Sequence, residues 1–410
     1  MDDGQPIRDI AGVQPVAPPR APRIALIGWF GSGNFGNDAS CEAVLGRLRK
    51  ERPDADIFIV CNDPKGIAAR FGAPAAKLRI RFSGLAAKLD TALLRLPSAL
   101  TNWVYALRTM AGADLLVFPG TGIFDDYRNG PMGAASQILR WCAAARARGA
   151  QVAFLSAGAG PIKHPLSRVM MRAAAKLASR RSYRDAESKE FMESIGVDET
   201  HSAVLPDVAF LLPTPPSPDR VGATPLTVGL GVMSYHGWTT IKAGELVHRD
   251  YIGKLVKFVN WLALRGHRVK LLIGEESDWR AVEKVRKALS PEALAALDPV
   301  ADMHDLHDVM NEIAGCDIVV ASRFHVIVAA LKMGRPAISL SYGYKNDAVL
   351  TAAGLKGFFQ DADFFDYPYL QDQFATLEAG RQHAARLVRE RVATFQEALL
   401  AKDALLPETV

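Results

Sequence analysis

Arg323 and His325 stand two residues apart at the end of a buried apolar run, inside DIVVASRFHVIVAALKMGRPAISLSYGYK (Asp317 to Lys345). The run reads as a strand (Asp317 to Ser322), a corner, a short apolar helix, and a second strand from Pro336 to Leu340. In extended backbone, residues i and i+2 face the same way, so Arg323 and His325 are expected to project together while Phe324 turns into the core. A guanidinium is a fixed fork of donors, and an imidazole trades protons near neutrality. The following helix adds backbone N–H groups and the positive end of its dipole. This combination suits an anion. Arg184 follows another strand end in SYRD, and Lys345 closes SYGYK after the last strand, so both are expected near the same opening.

Three glycine-rich turns follow strands in the N-terminal half. GSGNFG (Gly31 to Gly36) matches the G-x-G-x-x-G pattern of dinucleotide sites, but Trp29 and Phe30 separate it from Gly28, and Asn37 and Asp38 replace tight-packing residues. It is read as a turn touching a polar ligand through Gly33, Asn34, Gly36 and Asp38, with an NAD site, or a plain turn in which Asp38 caps the next helix, as alternatives. PGTG offers the N–H groups of Gly120 and Thr121 to a phosphate or carboxylate, or is an ordinary turn. SAGAGP (Ser156 to Pro161) permits close approach to a ligand or to a crossing helix. Asp207, ending LPD, is a candidate for sugar hydroxyls or a structural turn, and His236 is placed to reach a cleft. His304 and His307 have metal-pair spacing without a third ligand nearby, so no metal site is expected.

The elements that must position these groups alternate strand and helix, each strand ending in Gly, Asp or Ser, which points to doubly wound parallel sheets. Residues 1–22 are rich in Pro and Ala and read as a disordered tail without a signal-peptide pattern. The first α/β domain is expected over 23–211. The proline-dense 212–225 reads as a linker, a second α/β domain spans 226–376, and a helix in 377–410 is expected to pack across both. A length of 410 residues and 49% hydrophobic content support two cores. A net charge of +5 gives no nucleic-acid footprint. The four cysteines are far apart and sit in or beside apolar segments, so they read as free thiols of a reducing compartment, pointing to the cytoplasm. No apolar run approaches a membrane span. SGLAAKLDTALLRLPSALTNWVYALR reads as a core-facing amphipathic helix, or as a peripheral membrane contact.

Taken in order, GxxGxGNxG, PGTG, SAGAGP, YRD, LPD, SRFH and SYGYK resemble the polysaccharide pyruvyl transferase family over roughly residues 24 to 350. The resemblance implies two Rossmann-like, GT-B-like domains facing a cleft, and transfer of pyruvate from phosphoenolpyruvate to a sugar of an exopolysaccharide or its lipid-linked repeat unit, as a ketal. It implies no cofactor beyond that donor substrate, and a location at the inner face of the membrane where the acceptor is lipid-borne. Arg323 and His325 match the family's Arg-x-His pair, and Arg184 its Arg-Asp arginine. Asn37 departs from it, since many members carry an acid there. On this reading His325 and Arg323 are catalytic, His325 as the general acid; Arg323, Arg184 and Lys345 hold the donor, and Gly120 and Thr121 assist. Asn34, Gly33, Gly36, Asp38, Asp207 and His236 then face the acceptor or cleft. A nucleotide-sugar glycosyltransferase and a non-catalytic polysaccharide-binding protein are the rival readings.

Overall fold

Continuous apolar runs of four to seven residues become strands buried on both faces, as parallel sheets require. A computed structural model describes residues 20–126, 130–218, 224–237 and 241–401. Seven strands form the first sheet: β1 (Arg23–Ile27), β2 (Asp56–Cys61), β3 (Ala75–Lys77), β4 (Leu115–Pro119), β5 (Gln151–Ala157), β6 (Arg180–Tyr183) and β7 (Ala203–Val204). Their order is β3-β2-β1-β4-β5-β6-β7, all parallel. The second sheet holds β8 (Thr227–Gly231), β9 (Arg268–Leu272), β10 (Ile318–Ala321), β11 (Ala337–Ser341) and β12 (Phe359–Asp361), in the parallel order β12-β11-β10-β8-β9. Two doubly wound parallel sheets were expected, and two are present. The short edge strands β3 and β12 were not anticipated.

The helices that alternate with the strands of the first sheet are α1 (Phe35–Glu51), α2 (Pro64–Phe71), α3 (Gly84–Ala92), α4 (Leu96–Thr109), α5 (Ala134–Ala147), α6 (Pro165–Leu177) and α7 (Ala186–Ser194). Those that follow are α8 (Ile241–Leu264), α9 (Trp279–Ala288), α10 (Pro291–Ala296), α11 (Leu306–Ala314), α12 (Phe324–Lys332), α13 (Tyr344–Ala352) and α14 (Tyr367–Leu400). Successive residues of β1 alternate between two cores. Ala25 and Ile27 enter one with Phe154 and Trp141, while Ile24 and Leu26 enter another that runs without a break into the second sheet.

The shared core is laced by a 3-10 turn, Val208–Leu211, whose Phe210 carbonyl receives Lys332 Nζ at 2.6 Å and Gln396 Nε2 at 3.0 Å. Phe210 also packs on Phe395 of α14, with ring centroids 5.2 Å apart. At its far end α14 reaches α1, where the Arg47 guanidinium donates to the Leu399 carbonyl. The helix expected from Leu377 thus starts ten residues earlier, at Tyr367, with Asp366 accepting the Tyr369 N–H. Pro368 stands in its first turn, where a missing N–H costs no helical hydrogen bond. Of the expected tail, residues 1–19 lie outside the described residues, while Arg20 pairs with Asp114 at 2.7 Å. Residues 219–223 of the expected linker and 402–410 also lie outside them.

Candidate active site

Loops at the carboxyl ends of the two sheets enclose a cavity of about 540 Å3 whose wall includes Asn34, Asn37, Arg184, Arg323, Tyr342 and Lys345. A second cavity, of about 570 Å3, shares Arg184, Tyr344 and Lys345 with the first and adds Asp207, Glu187 and Phe324.

The GSGNFG loop is spent on joining the sheets. Asn34 caps α1, its Oδ1 accepting the Gly36 and Asn37 N–H groups at 3.1 and 3.2 Å. The Phe35 N–H donates to Gly274 O at 3.1 Å, and Gly33 O accepts Glu276 N–H at 3.0 Å. Gly33 needs its positive φ of +84°, and a side chain there would strike the Glu276 carboxylate. The Gly31 N–H is held by Asp38 Oδ1 at 2.9 Å, so the amides of Gly31, Phe35, Gly36 and Asn37 are all satisfied by protein. Asp38 is therefore a buried loop clamp.

Arg323 and His325 diverge. The helix α12 begins at Phe324, so the two residues flank a helical turn rather than share a strand face, and two helical steps rotate a side chain by about 200°. Arg323 turns to the second sheet, donating through Nε (2.9 Å) and Nη2 (2.7 Å) to Asp278, with Nη1 2.7 Å from Glu275. Asp278 is fully buried and also accepts the Ser234 and Gly274 N–H groups. One carboxylate thus pins three loops, and Arg323 is its counter-charge.

His325 turns to the first sheet and packs on Gly36, where a Cβ would overlap the ring at Nδ1. Its Nε2 is sealed, has no hydrogen-bond partner among the described residues, and lies 3.8 Å from the equally unpartnered Oδ2 of Asp207. Asp207 Oδ1 caps the 3-10 turn through the Ala209 N–H at 2.9 Å. Burial, then the Arg184 guanidinium and the Lys345 ammonium, lower His325 to about 3. Burial raises Asp207 to about 6 against the pull of Arg184. The imidazole is therefore neutral at pH 7. Burial is the largest cause, and the two neighbouring cations add to it.

Arg184 lies flat between Gly158, where a Cβ would overlap its guanidinium, and the Phe324 ring, 4.5 Å from its centroid. Its ion pair with Asp185 is 3.4 Å, and Nε makes no hydrogen bond among the described residues. Phe324 is buried as expected, yet it serves as the platform for this arginine. Lys345 sits over Tyr342, its Nζ 4.5 Å from the ring centroid, with no carboxylate in ion-pair range among the described residues. Burial opposes ionisation of Tyr342, but Lys345 and Arg323 hold its phenol below the usual value. Tyr344 spans the cleft, donating to Ala159 O on the opposite loop.

His325 itself lines neither cavity, and other candidates also stand away from them. Gly120 packs under Val208, Thr121 is buried with its carbonyl accepting the Gly158 N–H, and His236 stacks on His248 at 4.4 Å while reaching Glu245. His307 pairs with Glu42 at 2.8 Å, and no cluster of three metal-ligating side chains occurs among the described residues. Asp278, Tyr342, Tyr344 and Phe324 carry site geometry that sequence reasoning did not single out. The tyrosines lie in the SYGYK signal already flagged for Lys345, while Asp278 offered no signal beyond that of a helix start.

Two parallel α/β sheets meeting at a cleft lined from their strand ends define a GT-B-like protein. Solved structures agree. A putative UDP-N-acetylglucosamine 2-epimerase from Listeria monocytogenes superposes with a TM-score of 0.58 at 11% identity, covering 95% of this chain and 100% of its own. MurG from Acinetobacter baumannii gives 0.54 at 15% identity (92% and 99%), and UDP-GlcNAc 2-epimerase from Neisseria meningitidis, bound to UDP-GlcNAc, gives 0.56 at 10% (93% and 100%). No curated protein matches the chain. The family model for polysaccharide pyruvyl transferase matches residues 34–344, and the chain belongs to that family.

Proposed function

We propose that the protein moves pyruvate from phosphoenolpyruvate onto two hydroxyls of a sugar in an exopolysaccharide or its lipid-linked repeat unit, forming a ketal. The observation that carries this reading is the pair of cations, Arg184 and Lys345, on the wall common to both cavities with the His325–Asp207 pair behind them. Phosphoenolpyruvate carries a carboxylate and a phosphate, and two cations at one wall suit both ends. Arg323, already balanced by Asp278 and Glu275, shapes the wall and adds little free charge.

In the reaction the enol methylene gains one proton and the first sugar hydroxyl adds to the central carbon, losing its own. The second hydroxyl then replaces phosphate, and its proton leaves with the phosphate. His325 is the acid. Arg184 and Lys345 help to hold the imidazole neutral; a bound dianion offsets both charges and raises its affinity for a proton. Asp207 then backs Nε2, while the Nδ1 edge lies against Gly36, next to the cavity residue Asn37.

The test is ligand choice. Phosphoenolpyruvate should raise the melting temperature, and Lys345→Ala should require about 10- to 100-fold more of it for the same rise. Stabilisation by a uridine or guanosine nucleotide, with none by phosphoenolpyruvate, would favour a nucleotide-sugar transferase instead.

A further inference from the structure

The helices α3 and α4 turn leucines to solvent. Leu85, Leu89, Leu93, Leu94, Leu96 and Leu100 are 55–84% exposed, and Trp103 beside them is 39% exposed. The expected core-facing helix is therefore two helices with an outward apolar face. Single exposed leucines are ordinary, but six within sixteen residues are a patch that needs an occupant.

The surrounding charge has one sign. Residues 79–108 hold Arg79, Arg81, Lys88, Arg95 and Arg108, and the one acid, Asp90, is buried and accepts the Ser98 N–H at 2.8 Å. Arg140 of α5 lies beneath, 9% exposed, and its Nε and Nη2 have no hydrogen-bond partner among the described residues. The cations are close enough to act on one another: burial lowers Arg79 with help from Arg81 and Arg95, and burial with Arg79 lowers Arg140 to about 10. The arrangement is held in place. Asn102 grips the Ile80 backbone at both ends (2.8 and 3.0 Å), and Trp141 Nε1 donates to Leu78 O at 3.1 Å. A buried guanidinium without a counter-ion is costly, and a phosphate beside Arg140 would remove that cost.

We propose that the α3–α4 face docks on an anionic bilayer, its leucines entering the interface and a lipid phosphate seating on the Arg79, Arg81, Arg95 and Arg140 cluster. Charge complementarity selects this occupant. A second copy would bring the same cations and repel. Among the described residues no helix is long and apolar enough to cross a membrane, so the contact is peripheral. The face also starts from the carboxyl end of β3, the end of the first sheet at which the cavity opens. The inference rests on this surface alone and holds whatever the cleft transfers.

The test is sedimentation of the full chain with vesicles of phosphatidylcholine alone or with one quarter phosphatidylglycerol. Binding is expected only with the anionic lipid and should fall steeply between 0.1 and 1 M salt. Each of Arg79→Gln, Arg81→Gln and Arg95→Gln should weaken it about five-fold, and the triple variant about 100-fold. Leu85→Ser with Leu89→Ser and Leu96→Ser should lower binding at unchanged melting temperature. Brominated acyl chains should quench tryptophan fluorescence in wild type, and Trp103→Phe should lose that quenching. The proposal fails if anionic vesicles do not bind, or if neutral ones bind equally. It also fails if millimolar inorganic phosphate at constant ionic strength releases the protein, or if the leucine variants abolish a dimer rather than lipid binding.

Discussion

Replacing Gly36 with alanine moves the proposed acid, His325, and little else. The added Cβ would stand 1.8 Å from His325 Nδ1, so the ring must recede by roughly 1.6 Å to reach ordinary contact at 3.4 Å. Gly36 has no positive φ and lies in the first turn of α1, so alanine fits the backbone. Overpacking costs about 1–3 kcal/mol, and the better helix propensity of alanine returns up to ~1 kcal/mol, leaving a fold that survives. A catalytic group misplaced by about 1 Å loses ~100-fold in rate. Gly36→Ala should therefore cut kcat about 100-fold, with the KM for phosphoenolpyruvate changed less than about three-fold, since Arg184 and Lys345 stay in place. Steady-state phosphate release gives both constants, and thermal melting reports the fold. Gly46→Ala, in the same helix with open space at its Cβ, is the control. Wild-type kcat in Gly36→Ala would refute the placement of His325 as the acid.

His325→Ala should lose ~100- to 10,000-fold in turnover while still binding donor, and comparable turnover would remove it from catalysis. Arg323→Ala strands the fully buried Asp278, so urea unfolding should show a loss of about 3–5 kcal/mol; a stable variant that only binds donor weakly would return Arg323 to the donor site. Lys345→Ala removes a charge-assisted contact but no ion pair, and should weaken phosphoenolpyruvate about 10- to 100-fold by calorimetry at constant melting temperature. Asp207→Asn has a signed pH effect. His325 is depressed to about 3, so its share of stability is lost as pH falls below about 6.5; Asp207 is raised to about 6, so its share is present below 3.8 and lost as pH rises to 6. Those slopes oppose between about pH 4 and 6. Without Asp207, stability should fall on acidification through that window by up to about 1.4 kcal/mol per pH unit more steeply; parallel curves would show that Asp207 does not titrate there.

The alternation of buried runs and polar turns made both sheets legible in the sequence, because a strand covered on both faces has no choice but to be apolar. Three-residue edge strands such as Ala75–Lys77 carry too little pattern to be seen. Arg184 and Lys345 were legible as strand-end cations. The divergence of Arg323 from His325 was not, since it depends on where α12 starts and on partners far off in sequence, Asp278 for one and Gly36 for the other. GSGNFG matched a dinucleotide pattern for a different reason: close approach is needed there, but to Glu276 and His325 rather than to a pyrophosphate.

The most direct measurement supplies the purified protein with phosphoenolpyruvate and lipid-linked repeat units, then compares phosphate released with acceptor mass. Pyruvyl transfer predicts acceptor-dependent phosphate release matched one to one by a pyruvate-sized gain on the sugar, and loss of both in His325→Ala. Phosphate release without that mass gain, or neither with any acceptor while the protein still binds polysaccharide, would contradict it.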